Sequence, residues 1–267
     1  MVNLPEIFDI AYSTVGLAPI NTVAHYKLAA SCGFQAIKGD IRPTADGGLV
    51  MCHDAGFTFG ADGRIGRFDR QNNTPILTLR YDDLLQTEYA ATAPDGTHPH
   101  VASLDDFLRI ARETGKYAYI TVRDKEIPAV VAEMFRLIRA HGMEDRCIVN
   151  SFTYATLLET RRYSDSVPVS HVQPLQAVLT EDIVRAAADL GNSLVCMFSY
   201  PDRDGRAMEA IRASAPAMDL ARSLNTRLFE AQVTTAEERA ACIKLGFTGF
   251  QLLRVFPPYA VPAAPQV

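Results

Sequence analysis

Short apolar, β-branched runs separated by longer stretches of helical periodicity constrain this chain more than any other feature. IFDIAYS, AIKGDIR, LVMCHD, YAYITVRD, CIVNSF, VPVSHVQ, SLVCMFSY, RLFEAQV and TGFQLL read as strands. Between most of them lie INTVAHYKLAASCG, IPAVVAEMFRLIRAHG, TYATLLETRRYS, EDIVRAAADLG, a helix near 206–224 and AEERAACIKLG. Gly115, Gly142, Gly191 and Gly246 stand where helices of this kind should stop. Strand and helix in strict alternation build a parallel sheet with its crossovers on the outside, so the expected class is α/β and the expected architecture a (β/α)8 TIM barrel. Such a barrel uses eight strands and the count here is about nine. The tight turn Ala45-Asp46-Gly47-Gly48 marks the 48–53 run as the extra, hairpin strand.

The rhythm breaks once. The 55–100 stretch, rich in Gly, Asp, Asn, Thr and Pro, reads as an insertion after the third strand, and loops on that side of a barrel form lids and pocket walls. Residues 1–254 are therefore expected to form a single domain, with 255–267 as a Pro/Ala-rich extended tail.

With 267 residues, 48% of them hydrophobic, the chain has enough apolar surface for one sizeable core. A formal net charge of −5 gives no general attraction to nucleic acid, which points to a small-molecule partner and leaves a homo-oligomer open. The five cysteines are scattered through apolar stretches without a CxxC pair and are expected to be buried thiols. MVNLPEIFDI has no basic and apolar leader pattern and no run is long enough for a membrane span, so neither membrane insertion nor export is expected and a cytoplasmic location is.

GLAPINT, a helix ending at Gly33, and then AIKGDIRPTADGGLVMCHD resemble the first third of a glycerophosphodiester phosphodiesterase. Pro19, Asn21, Thr22, Asp40, Thr44, Asp46, Gly47, His53 and Asp54 keep that family's pattern, and ASLDDFLRIA, AYITVRD, CIVNSF and IKLGFTGF carry the likeness along the chain. The resemblance implies phosphodiester hydrolysis with a Ca²⁺ or Mg²⁺ ion. The chemistry positions depart from the pattern, however. Ala11 and Tyr12 stand where the family has its first catalytic His and a phosphate-binding Arg, Lys38 where it has a metal-ligand Glu, and Thr121 where it has a third carboxylate. Asp40 alone survives as a metal ligand, and one carboxylate beside an ammonium does not make a site for a hard divalent cation. No cofactor is therefore expected.

Read physically, the period of a strand puts Lys38, Asp40 and Arg42 on one face, pointing into the barrel mouth, and Ile37, Gly39 and Ile41 on the other. Lys38 either forms a plain pair with Asp40 or supplies the positive charge a metal would otherwise give. Tyr119, Thr121 and Arg123 share a face in the same way; Arg123 joins Lys38 as an oxyanion clamp or pairs with Asp40 or Asp124. His53, followed by Asp54, suits proton transfer to a leaving group. In RLFEAQV the alternation turns Glu230 inward as a candidate general base, whereas the family pattern places Ala231 in the pocket and Glu230 outside. Tyr12 and Asn21 are expected to shape the phosphate pocket, Thr121 to line it, and His171 to reach the mouth as a substrate contact or stay in the core. Three functions fit: a metal-independent phosphodiesterase or lyase built on Lys38, Arg123 and His53; a carbohydrate-active enzyme using Asp40 and Glu230; and a non-catalytic polyol or phosphate binder.

Overall fold

The computed structural model describes residues 4–12, 18–123, 127–199 and 206–260. The chain enters on β1 (Phe8–Ala11), passes through α1 (Val23–Ser31) to β2 (Ala36–Pro43), and turns back into β3 (Leu49–Met51). The insertion holds a two-stranded sheet, β4 (Gly56–Phe57) with β5 (Thr74–Pro75), and a short helix, α2 (Tyr81–Leu85). Alternation then resumes with α3 (Leu104–Glu113), β6 (Tyr117–Val122), α4 (Ile127–Ala140), β7 (Cys147–Ser151), α5 (Tyr154–Arg161), β8 (Val169–Val172), α6 (Glu181–Asp189) and β9 (Ser193–Met197). It closes through α7 (Arg206–Ala213), α8 (Ala215–Ser223), β10 (Arg227–Val233), α9 (Ala236–Lys244) and β11 (Gly249–Leu252).

The strand order β1-β11-β10-β9-β8-β7-β6-β2, with β1 pairing back to β2, is a closed eight-stranded parallel barrel. The ninth strand is β3, antiparallel to β2, as the turn residues predict. Two buried layers result. Ile37, Ile41, Ile120, Val149, Met197 and Phe250 face the helices, while Phe8, Ala36, Ile148, Leu194 and Phe229 plug the interior. The plug needs a glycine opposite it: a Cβ on Gly249 would lie 2.3 Å from the Phe229 ring. α3 and α9 start on capping boxes, Ser103 with Asp106 and Thr235 with Glu238, which satisfy N–H groups the helix cannot.

Two expectations change. The helix near 206–224 is two helices, broken at Ser214, whose hydroxyl takes the Leu179 N–H, with Pro216 in the first turn of the second. The start of the tail is docked rather than extended: Val255, Phe256 and Tyr259 pack on the core, and the Tyr259 ring lies 4.3 Å from that of Phe34. Residues 261–267 lie outside the described residues. All five cysteines are buried. No helix among the described residues is long and apolar enough to cross a membrane.

Candidate active site

The inward face of β2 carries Lys38 and Asp40 to the C-terminal mouth of the barrel, where they are only 5% and 6% exposed. Lys38 Nζ donates to Asp40 Oδ2 at 2.8 Å, and Arg123 Nε, from the end of β6, donates to Asp40 Oδ1 at 2.9 Å. One carboxylate thus holds two cations. Burial pushes the Asp40 carboxyl up, but the Lys38 and Arg123 charges, with His53 further off, outweigh it and hold Asp40 below the usual carboxylate range. Lys38 Nζ also sits 4.1 Å from the centre of the Tyr12 ring, and the Arg123 guanidinium 5.4 Å from that of Phe152. Asp124, the other partner considered for Arg123, lies outside the described residues.

β3 explains how His53 arrives there. Running antiparallel to β2, it leads the chain back down from Pro43 level, so that Cys52 N–H bonds to the carbonyl of Asp40. His53 then follows at the height of the ion pairs. Arg42 Nη2 donates to the His53 carbonyl at 2.9 Å and fixes this turn. The ring Nδ1 is 3.1 Å from Asp54 Oδ1. A carboxylate only accepts, so Nδ1 carries the proton and Nε2 is left for chemistry.

Together these residues line a cavity of about 320 Å³. Its base is polar and tightly cross-linked. Asn150 Nδ2 donates to Thr121 Oγ1 at 2.9 Å, Tyr119 OH donates to Asn150 Oδ1 at 2.8 Å, and Gln251 Nε2 lies 3.1 Å from Cys196 Sγ. Burial raises the Tyr119 hydroxyl and the Cys196 thiol well above their usual ranges, so both stay neutral.

The fold therefore assembles Tyr12, Lys38, Asp40, His53, Thr121 and Arg123 around one cavity. Three other candidates go elsewhere. Glu230 points to the helix side of β10, where Ser199 N–H donates to Oε1 at 2.7 Å and Ser199 Oγ to Oε2 at 3.1 Å. Its neighbours Phe229 and Ala231 face the interior, against the alternation expected from polarity. His171 also turns outward, its ring 6.1 Å from that of Tyr154; burial lowers its basicity, a bond with the Phe152 backbone works against that, and Nδ1 has no partner among the described residues. Asn21 sits at φ +66° and accepts from Tyr26 OH at 3.3 Å in the wall of a neighbouring cavity. Asn150, Phe152, Gln232 and Gln251 line the site without having been singled out. Lone amides within the apolar runs CIVNS and GFQL were the available signal for Asn150 and Gln251.

The same geometry tests the Ca²⁺ or Mg²⁺ ion implied by the resemblance. Both Asp40 oxygens accept from cationic N–H groups, and no second carboxylate lines the cavity among the described residues. Nor does any group of three or more His, Cys, Asp or Glu side chains there stand close enough to hold a metal. These residues do not fit a hard divalent cation.

Residues 15–193 match the model of the glycerophosphoryl diester phosphodiesterase family. The chain belongs to that family. It is 26% identical over 228 residues to the Mycobacterium tuberculosis protein named "Probable glycerophosphodiester phosphodiesterase 1", covering 77% of this chain and 79% of the relative. An Oleispira antarctica phosphodiesterase solved with its product sn-glycerol-3-phosphate superposes with a TM-score of 0.72 at 14% identity, covering 93% of each chain. A glycerophosphodiester phosphodiesterase from Parabacteroides distasonis gives a TM-score of 0.69 at 15% identity, covering 94% of each. As a member of the glycerophosphoryl diester phosphodiesterase family, the chain keeps the barrel and the His53-Asp54 pair; at the positions that depart from the pattern, Tyr12, Lys38 and Thr121 all face the cavity, while Ala11 packs against the helices.

Proposed function

We propose that this chain cleaves a small phosphodiester at the barrel mouth without a divalent metal, Lys38 and Arg123 holding the phosphoryl oxygens and His53 protonating the leaving alcohol. The observation that carries this reading is the two-cation, one-carboxylate cluster inside the cavity, which has one net positive charge where a phosphodiester has one negative. A guanidinium offers five N–H donors and an ammonium three, and Asp40 takes one bond from each, so donors remain for an anion. Low-dielectric surroundings strengthen that attraction.

In the step itself, an oxygen of water or of a substrate hydroxyl bonds to phosphorus as the bond from phosphorus to the leaving oxygen breaks. His53 Nε2 gives its proton to the leaving oxygen, and Asp54 stabilises the imidazolium beforehand through Nδ1. The proton shed by the entering oxygen returns to the imidazole through solvent, so the cycle balances. Family membership and the product-bound Oleispira antarctica phosphodiesterase support the phosphodiester as substrate. The carbohydrate reading loses support, because Glu230 does not line the cavity that holds Asp40 and the two do not flank a common bond.

Phosphorus NMR of the purified protein with mixed glycerophosphodiesters tests this, once in EDTA and once with added Mg²⁺ or Ca²⁺. A monoester or cyclic phosphate signal in EDTA is expected, reduced about 10²–10⁴-fold by His53→Ala with little change in stability, since that side chain is 41% exposed. Turnover only with metal would return the chain to the chemistry implied by its family. Binding without turnover under both conditions would make it a phosphate-binding member.

A further inference from the structure

A second cavity, of about 390 Å³, lies against the first on the side built by the insertion. The turn after β3 is their common wall: His53 lines the first cavity, and its neighbours Cys52 and Asp54 line the second. Both cavities are lined mostly by carbon, but the second lacks the paired cations of the first. Its walls are Ile20, Phe57, Ile65, Phe68 and Tyr89 with small residues between them. Asn21 and Thr58 also line it, already hydrogen-bonded to Tyr26 OH and the Asp69 backbone respectively, and its charged groups among the described residues are Asp54, already engaged by His53, and Arg67 at the exposed edge. Phe57 and Tyr89 meet edge to face with ring centres 6.4 Å apart, which fixes the apolar wall. Burial pushes the Cys52 thiol up to about 12 and the Tyr89 hydroxyl well above its usual range, so neither adds charge. Of the wall residues, Ile20 is 47% exposed.

We infer that the insertion chamber receives the leaving alcohol of the phosphodiester, and that this alcohol is apolar, an alkyl or arylalkyl group rather than a polyol or choline. The inference rests on the reading of the first cavity as the phosphate site. With the phosphate on Lys38 and Arg123 and the leaving oxygen at His53, the alcohol's carbon skeleton lies over the shared wall. From there it enters a chamber whose surface is mostly carbon. A polyol in that chamber would surrender water without finding enough partners, and a quaternary ammonium, although aromatic faces attract it, would meet the like charge of Arg67 and share Asp54 with His53. An apolar group gains from the same surroundings in proportion to the area it buries.

Calorimetry on the full chain in EDTA decides it, with methyl phosphate, hexyl phosphate and phosphocholine as probes. Hexyl phosphate should bind roughly tenfold or more tightly than either of the others. The preference should disappear in Ile20→Asp and in Phe68→Asp, whose side chains are not buried and whose replacement leaves the fold intact, while the affinity for methyl phosphate stays the same. Equal affinities in the wild type, or a preference that survives both substitutions, overturn the apolar chamber and leave the phosphate reading standing. If neither ester binds, the phosphate reading fails. Hexanol alone then decides the chamber, which is overturned if the alcohol does not shift the methyl resonances of Ile20 and Ile65.

Discussion

Two buried carboxylates on neighbouring strands show how the same ingredients serve architecture in one place and chemistry in another. Asp9 points from β1 toward the helices and is bound side-on by one guanidinium, Arg239 Nε to Oδ1 at 2.9 Å and Nη2 to Oδ2 at 2.8 Å, with the Tyr259 hydroxyl as a third donor. Charge is balanced one for one, and the arginine's flat face lies 5.3 Å from the Phe250 ring. Asp40 points from β2 into the barrel and meets two cations end-on, each giving it one bond. The first arrangement is saturated and borders neither of the two mouth cavities; the second has charge and donors to spare and opens on one. Counting cations against carboxylates thus separates a clasp from a binding site.

The largest effect should come from breaking the clasp. Asp9→Ala leaves Arg239 and Tyr259 without their shared partner at the seam where β1, α9 and the C-terminal segment meet. It should cost about 3–5 kcal/mol of stability, as removal of one member of a buried pair does. Urea denaturation measures this. Turnover per folded molecule should remain at the wild-type value, and a loss of rate in the folded variant would break the comparison.

Lys38→Met should do the reverse. Arg123 still neutralises Asp40, so the fold survives, but the net positive charge of the cluster is gone. A loss of roughly 10²–10³ in kcat is expected, the range for deleting one group that stabilises developing charge. The loss should persist at saturating substrate. If Lys38 were a clasp like Arg239, the variant would lose stability and keep its rate.

This comparison also shows which parts of the molecule were legible in the sequence. The eight-strand barrel, the hairpin strand and the Lys38, Asp40, Thr121, Arg123 set were readable because β2 and β6 carry charged and polar side chains on one face near their C-terminal ends, where the barrel opens. The rule that apolar residues face the helices fails lower down, since a parallel barrel is buried on both faces and its plug is as apolar as its outer layer. Phe229 belongs to that plug, so Glu230 is turned outward, and Ser199 from the segment after β9 provides the partner that the local sequence does not reveal. Gln232 at φ +59°, where the register between β10 and β11 shifts, then brings consecutive residues Ala231 and Gln232 to the cavity, an arrangement invisible to strict alternation. His171 follows the same logic, because Ser170 takes the inward position to meet Tyr119 OH at 2.7 Å. Asn21 has a backbone reason to be where it is: it holds a left-handed turn, and its side-chain oxygen accepts from Tyr26 OH.

The smallest expected effect sharpens the difference through pH. Lys38 and Arg123 hold the Asp40 carboxyl below its ordinary range in the folded chain, so the folded state binds this proton less readily than the unfolded chain does. The resulting stabilisation is fully present above the ordinary carboxylate value of about 4 and is lost as pH falls through the lower, folded value. Asp40→Asn removes the titration, and its urea midpoint should fall less steeply than that of the wild type between that ordinary value and more acid conditions. Lys38→Met leaves Asp40 with a single cation, which brings its folded value back toward the ordinary one, so the acid loss should shrink part of the way toward that of Asp40→Asn. A graded reduction of the acid limb, partial in Lys38→Met and larger in Asp40→Asn, would establish that the cations act on Asp40 through charge. An acid limb unchanged in both variants would mean that it belongs to other carboxylates, and that Asp40 is held by packing in the way a clasp is.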